Sequence, residues 1–120
     1  MVSKGFRTVF CSIYWCHDDA GKGSKRDKKA EEKFIDYLCI ARAFENETIL
    51  AFCDAVGKFQ VNNTTLNLVC HSQISIPFKG AIRKLDHNRE EMFIQEVDTD
   101  VVNFAESVYK IRKDAQTQVL

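Results

Sequence analysis

The sequence lacks several features that would place it in a specialised class of protein. Its 17 basic and 17 acidic residues give a formal net charge of zero, whereas a general polyanion binder carries a basic excess. No apolar run approaches the roughly 18 residues of a membrane span. No apolar segment follows the charges at the N-terminus, so a secretory signal is not predicted. We therefore expect no nucleic-acid partner, no membrane contact and a cytoplasmic location.

The cysteines form no recognisable metal-binding or disulfide pattern. They are odd in number and evenly spread, at Cys11, Cys16, Cys39, Cys53 and Cys70. Structural zinc sites favour closely spaced pairs of ligands, and a disulfide framework usually needs an even number of cysteines. We therefore predict free, mostly buried thiols in a reducing compartment, with no metal and no cofactor.

The hydrophobic pattern predicts an α/β (α+β) chain. Apolar runs predict strands at residues 6–15, 48–53, 66–70, 73–77, 81–85 and 92–97. Apolar residues that recur every three or four positions predict helices at residues 29–46 and 99–109. Residues 18–30 contain glycines and a dense run of both charges, which predicts a solvated loop insertion. Two helices are too few to cover both faces of a mixed sheet of about six strands.

Four motifs occur in an order that resembles the nitrilase superfamily of carbon–nitrogen hydrolases. The most specific is ARAFENETILAFCDAVG at residues 41–57, where a helix ending in an R-A-x-E-N motif runs into a strand. FRTVFCSIYW at residues 6–15 resembles the strand that follows the family's nucleophile. LVCHSQISIPFKGAI at residues 68–82 resembles the family's G-x-S-x-I-x-x-P-x-G motif, and residues 90–114 resemble its closing strand and helix.

The resemblance implies that residues 1–120 are the C-terminal half of a carbon–nitrogen hydrolase domain. The implied fold is half of an α-β-β-α sandwich, in which two sheets pack together between outer helices. The implied chemistry is hydrolysis of a nitrile or amide by a cysteine thiolate, with a glutamate as general base and a lysine that stabilises the tetrahedral intermediate. None of these three motifs occurs in the 120 residues, so we expect a truncated chain that is inactive as an enzyme by itself.

The sequence also allows two functions other than an inactive fragment. The chain could complement an N-terminal nitrilase fragment or pair with a homologous nitrilase-type subunit, so that together they form an active hydrolase. It could also be a stand-alone small α/β binding module whose similarity to nitrilases is only ancestral. A monomeric chain that unfolds cooperatively would favour the binding module.

The resemblance also assigns candidate site residues, none of them catalytic. Trp15 ends the first predicted strand, and Cys16 and His17 follow it, at a turn that borders the substrate in relatives. Asp54 ends the second strand, where asparagine is usual in the family. We predict that these four residues line a vestigial substrate pocket. The predicted structural positions are Arg42, Glu45, Asn46, Gly57, Ser72, Pro77, Gly80 and Asp98.

The helix motif allows two interpretations. Arg42, Glu45 and Asn46 lie three and four positions apart, so their side chains share a helix face. They form either a buried polar network beside the active site, which the resemblance favours, or an exposed ion pair of little consequence for stability.

The two Cys–His pairs of the sequence favour structural roles over a catalytic pair or a zinc site. Cys16 and His17 resemble a nucleophile with its base, but adjacent residues in an extended segment point to opposite sides. A zinc site of Cys16, His17, Cys70 and His71 would lack the usual ligand spacing. We therefore expect Cys16 and His17 to be loop residues and Cys70 to be a small buried side chain.

Overall fold

The computed structural model describes residues 5–117, which form two sheets and three α-helices. The strands are β1 (Thr8–Ile13), β2 (Ile49–Asp54), β3 (Lys58–Val61), β4 (Thr64–Asn67), β5 (Gln73–Ile76) and β6 (Gly80–Lys84). The helices are α1 (Ala30–Glu45), α2 (Asp100–Tyr109) and α3 (Ile111–Thr117). No helix among the described residues is long and apolar enough to cross a membrane. Residues 1–4, part of the stretch searched for a secretory signal, and residues 118–120 lie outside the described residues.

A four-stranded mixed sheet forms the centre of the fold, in the order β1-β2-β5-β6. β1 and β2 are parallel, with Thr8 opposite Ile49 and Ile13 opposite Asp54. A parallel pair needs a crossover connection, and α1 provides it. β5 is antiparallel to both β2 and β6. The α+β class and the mixed sheet are thus confirmed, and the β1–α1–β2 unit sets the carboxyl ends of two strands side by side.

The other two strands form a separate hairpin. β3 and β4 pair in antiparallel fashion across Asn62 and Asn63, whose φ angles are 49° and 23°. Asparagine tolerates the left-handed region better than most residues, which suits a two-residue hairpin turn. The strand predicted at residues 66–70 therefore begins earlier, in this hairpin, and the six strands are divided between two sheets.

α1 covers one face of the central sheet with a single apolar stripe. Ile35, Cys39 and Ala43, four residues apart, are buried. Leu50 and Phe52 of β2 pack against this stripe. The helix predicted at residues 29–46 is therefore confirmed to within one residue at each end, because its stripe supplies most of its stability.

α2 packs on the opposite face of the sheet. Ile49 of β2, Ile76 of β5 and Val102 of α2 form a second buried cluster. Successive residues of a strand point to opposite faces, so Ile49 faces α2 while its neighbour Leu50 faces α1.

The face that carries α2 is covered only in part. Phe10 of β1 is 83% exposed, and Ile74 of β5 lines an open groove beside it. Met92 and Phe93 line the same groove, whose volume is about 430 Å³. A large apolar side chain this exposed on a sheet face indicates a surface that is suited to contact with another layer.

The strand predicted at residues 92–97 is wrong. The segment is extended but pairs with no strand among the described residues. Phe93 and Val97 instead pack on the sheet, Phe93 against the guanidinium of Arg83 at 5.5 Å and Val97 against the α2 cluster, while Ile94 is 93% exposed. Alternating apolar residues suit an extended segment lying on a sheet face as well as a strand at its edge.

The charged segment before α1 has more structure than a loop. Residues His17–Lys25 form a 3₁₀ segment with a kink at Gly21, where φ is 50°. None of its residues is buried, which agrees with a solvated segment. Its status as an insertion stays a prediction.

Replacing Ile35 by alanine should destabilise the fold strongly. Ile35 is 2% exposed in the α1 stripe, and deleting a buried isoleucine side chain lowers the free energy of unfolding by roughly 2–5 kcal/mol. Ile94→Ala is the matched control, because Ile94 is 93% exposed and should change the stability little. Urea unfolding of both variants measures the difference, and equal losses would contradict this packing.

Candidate functional site

The parallel pairing of β1 and β2 brings the end of β1 to Asp54, the last residue of β2. Asp54 is 6% exposed. Its Oδ1 accepts hydrogen bonds from the backbone N–H groups of Trp15 at 3.0 Å and Ala55 at 2.9 Å. Its Oδ2 accepts one from the N–H of His71 at 3.4 Å. A single carboxylate therefore joins the end of β1 to the segment that precedes β5.

The polar atoms of Asp54 are occupied by structural hydrogen bonds. Its own N–H donates to Ser72 Oγ at 2.9 Å, and that hydroxyl donates to the Asp54 carbonyl at 3.2 Å. Burial raises the pKa of Asp54, although several backbone N–H groups act in the opposite direction. Asp54 is thus suited to holding the strand ends in place rather than to exchanging protons with a substrate.

Trp15 and Cys16 lie at the end of β1 in a packed environment. The Trp15 ring lies 5.7 Å from the ring of Phe34, and its Nε1 donates to the carboxylate of Glu31. Cys16 is 4% exposed, and burial, assisted by nearby carboxylates such as Asp19, raises the pKa of its thiol. A raised pKa keeps the thiol protonated at neutral pH, which is the opposite of what a nucleophilic cysteine needs.

His17 lies in a different groove from Trp15, Cys16 and Asp54, the other predicted pocket residues. It faces a shallow surface with Asp18, Gly21, Lys25 and Lys28. The structure therefore brings Trp15 to Asp54, with Cys16 adjacent in sequence, but it does not gather the four predicted pocket residues around one cavity. The 3₁₀ segment that begins at His17 carries this side chain away from the strand ends.

The predicted buried network on α1 is exposed in the described chain. Arg42 and Glu45 form an ion pair, and their side chains are 62% and 52% exposed. Asn46 Nδ2 donates to the Arg42 carbonyl at 2.9 Å. Within residues 5–117 the trio therefore matches the exposed ion pair rather than the buried network, because Ile35, Cys39 and Ala43 form the buried stripe of α1.

Arg42 and Asn46 nevertheless border a groove between α1 and the sheet. The groove has a volume of about 240 Å³ and is lined mainly by apolar side chains, including Val9, Leu38 and Phe52. Cys11 and Cys39 also line it. Burial raises the pKa of Cys39 to about 12, so this thiol contributes an apolar surface rather than a reactive group.

The remaining motif positions have local structural roles. Pro77 is fully buried. Gly57 and Gly80 have φ angles of +97° and +69°, which residues with a side chain rarely adopt, and a Cβ at Gly80 would lie 3.6 Å from Ile40. Asp98 Oδ1 accepts a hydrogen bond from the backbone N–H of Asp100, the first residue of α2, at 2.9 Å.

A polar network between α1 and the sheet was missed by sequence reasoning. His71 is buried, and its Nδ1 lies 2.9 Å from Asp36 Oδ1. Lys84 of β6 donates to Asp36 Oδ2 at 2.7 Å, and Gln73 of β5 donates to Asp36 Oδ1 at 3.2 Å. The only signal in the sequence is that Asp36 follows Ile35, at the border of the apolar stripe.

The ionisation of Asp36 is favoured by this network. Burial raises its pKa, but the hydrogen bonds from Lys84 and His71 outweigh that effect and hold the pKa below its usual range. His71, a candidate zinc ligand with Cys70 in the sequence, forms a hydrogen bond with Asp36 instead. Among residues 5–117, no group of three or more His, Cys, Asp or Glu side chains is arranged to hold a metal ion.

The fold is similar to that of a carbon–nitrogen hydrolase from Helicobacter pylori G27, with a TM-score of 0.75 and 15% sequence identity. The similarity covers 99% of this chain and 41% of that one, so the chain spans about two-fifths of the length of the hydrolase. No family model and no curated protein matches the sequence. At this identity the likeness shows the fold alone, and it confirms the partial nitrilase-type fold that the motifs imply.

Replacing Asp36 by asparagine should loosen the attachment of α1 to the sheet. We expect a loss of roughly 1–3 kcal/mol at neutral pH, because Lys84 and His71 lose a charged partner. Since the pKa of Asp36 is lowered in the fold, its stabilisation is present above the unfolded pKa and is lost as the pH falls through the folded pKa. The difference between the variant and the wild type should therefore shrink on acidification.

Asp27→Asn provides the matched control for this measurement. Asp27 is also paired with a lysine, Lys33, but on the exposed surface, where such pairs contribute little. Chemical unfolding at several pH values compares the two variants. Equal losses, or a difference that grows on acidification, would contradict the structural role of Asp36.

Proposed function

We propose that the chain is the C-terminal half of a carbon–nitrogen hydrolase-type sandwich and acts with a complementary half that supplies the catalytic residues. The observation that carries this proposal is the coverage of the structural similarity: 99% of this chain matches 41% of the hydrolase from Helicobacter pylori G27. The completed site would hydrolyse a non-peptide C–N bond, in a nitrile or an amide, to a carboxylic acid. The complement would be an N-terminal nitrilase fragment, another segment of a longer chain, or a homologous subunit.

The partly covered face of the sheet supports this arrangement. In a two-layer sandwich the inner faces of the sheets pack together and exclude water. Here the face opposite α1 exposes 83% of Phe10 and 86% of Met92, and its groove lies between the sheet and residues 91–93. A second sheet laid on this face would bury these side chains, which provides a favourable free energy of association.

The chain would contribute a pocket wall rather than the reacting groups. Asp54 fixes the backbone of Trp15 at the end of β1, and the adjacent turn would border the substrate. Burial raises the pKa of the thiols of Cys16, Cys39 and Cys70, so none of them is suited to nucleophilic attack at neutral pH. The thiolate, the general base and the stabilising lysine would come from the complementary half.

A stand-alone binding module is the second candidate function. The observation that favours it is the groove of about 240 Å³ between α1 and β2, whose walls include Leu38, Leu50 and Phe52. Apolar grooves of this kind accept small ligands without a second protein layer. A monodisperse monomer with a sharp two-state unfolding transition would favour this candidate over the half-sandwich.

The chain by itself is expected to hydrolyse neither simple nitriles nor simple amides above the buffer rate. The reason is that its buried cysteines are protonated and that it carries no glutamate–lysine–cysteine set of the family type. Product release from both substrate classes measures this directly. Turnover that disappears in Cys16→Ser would contradict the expectation and would favour a Cys16–His17 enzyme.

Placing a charge on the open sheet face should prevent assembly with the complementary half. Phe10→Glu would bury an unpaired carboxylate in the interface, so we expect at least a roughly tenfold loss of affinity for a polypeptide that carries the family's catalytic motifs. Tyr37→Glu is the control, because Tyr37 is 68% exposed on α1. Co-purification of the two halves and recovery of amide or nitrile hydrolysis are the measurements. Equal behaviour of the two variants would overturn the proposed interface.

A further inference from the structure

Glu47 is a buried carboxylic acid that few hydrogen-bond donors approach among residues 5–117. It lies in the turn between α1 and β2, is 0% exposed and has a φ of 50°. Neither of its oxygens has a well-formed hydrogen bond among the described residues, although the Ile111 N–H of α3 favours the ionised form. A buried carboxylate with so little hydrogen bonding is unfavourable when ionised, so burial favours its protonated form.

Arg112 of α3 is the cation nearest to this carboxylate, and it is mostly engaged elsewhere. Its Nη1 donates to the Phe6 carbonyl and its Nη2 to the Glu47 carbonyl, both at 2.6 Å. Its Nε, which also has no hydrogen-bond partner among residues 5–117, lies 3.9 Å from Glu47 Oε2. The neighbouring Arg7 is directed to Asn103. One arginine therefore ties α3 to the turn before β2 and to the residues before β1.

Glu106 of α2 brings a second carboxyl group to the same place. Its Oε2 accepts the backbone N–H of Arg112 at 3.0 Å, and its Oε1 accepts that of Lys113 at 3.1 Å. Burial disfavours its ionisation, but a hydrogen bond from Glu47 and these backbone donors outweigh burial and lower the pKa of Glu106. Glu106 therefore remains the ionised member of the pair and fixes the first turn of α3.

The cluster thus holds two carboxyl groups and one guanidinium, from the α1–β2 turn, α2 and α3. With one proton on Glu47 the charges of Glu106 and Arg112 balance, and the Glu47 acid can donate to Glu106. Without that proton, two carboxylates face each other around one arginine. We propose that Glu47 is the titrating element of a latch, which holds α3 on the body of the chain while Glu47 is protonated and releases it when Glu47 ionises.

The direction of the pH dependence follows from the cluster. Burial and a hydrogen bond to Glu106 raise the pKa of Glu47 to about 7, and the Ile111 N–H and Arg112 oppose this shift without cancelling it. A raised folded pKa gives stability that is fully present below the unfolded pKa and is lost as the pH rises through the window to the folded pKa. Between about pH 5 and pH 7, the docking equilibrium of α3 should weaken by roughly tenfold for each pH unit.

Hydrogen exchange of the complete chain tests the latch. We expect the protection factors of the α3 amides to fall by roughly 100-fold between about pH 5 and pH 7, while those of β2 stay constant. Protection of α3 that does not change with pH would overturn the proposal. So would a parallel loss of protection in β2, because that result would indicate unfolding of the whole chain rather than release of one helix.

Two substitutions make the test specific to Glu47. Glu47→Gln supplies a neutral donor toward Glu106, so α3 should stay protected across the whole pH range. Glu45→Gln removes the same charge two residues away, at a side chain that is 52% exposed, and should leave the pH dependence of α3 unchanged. A Glu47→Gln variant that keeps the wild-type dependence would contradict the latch.

A direct titration covers the case in which Glu47→Gln does not fold. The carboxyl carbon shift of Glu47 in the wild-type chain should titrate well above the range of an exposed glutamate, and the amide shifts of Arg112 and Lys113 should move over the same pH range. A Glu47 that titrates in the ordinary range, or α3 amides that do not follow it, would overturn the proposal.

Discussion

The carboxylate of Asp54 is the contact on which the arrangement of the strand ends depends. Three backbone N–H groups, from Trp15, Ala55 and His71, converge on its two oxygens. Without an acceptor, the N–H of His71 would be a buried donor with no partner, which is unfavourable by roughly 1–3 kcal/mol. An asparagine at this position would offer a single acceptor oxygen. The aspartate therefore allows the segment before β5 to be fixed by the same side chain as the end of β1.

The elements that were predictable from the sequence are those whose pattern is local. The apolar spacing of α1 and the runs in β1 and β2 gave bounds within about two residues of those observed, because each pattern records burial of one element against its neighbours. Residues 92–97 carry a strand-like alternation, yet they lie on the sheet face without pairing. Strand pairing depends on a partner far away in the sequence, and alternation alone does not identify that partner.

The polar contacts of the site were less predictable for the same reason. His71 and Asp36 are 35 positions apart, and Arg112 and Glu47 are 65 apart, so no motif spacing connects either pair. The spacing of Arg42 and Glu45 correctly indicates a shared helix face, but it does not say whether that face is covered. In residues 5–117 the face is exposed, and a packed second layer or subunit is the kind of contact that would change this.

Most of the polar groups near the strand ends are engaged in structural contacts. A general acid or base needs a proton that it can exchange with a substrate, and a nucleophile needs an accessible, ionised atom. Asp54 is bound by backbone donors, His71 and Asp36 are bound to each other, and burial keeps the Cys16 thiol protonated. Glu47 has no well-formed hydrogen bond on its carboxyl oxygens, but it lies in the turn between α1 and β2, beside Arg112 of α3 and at the other end of β2 from Asp54. Its proton is therefore better placed to control the position of a helix than to take part in hydrolysis.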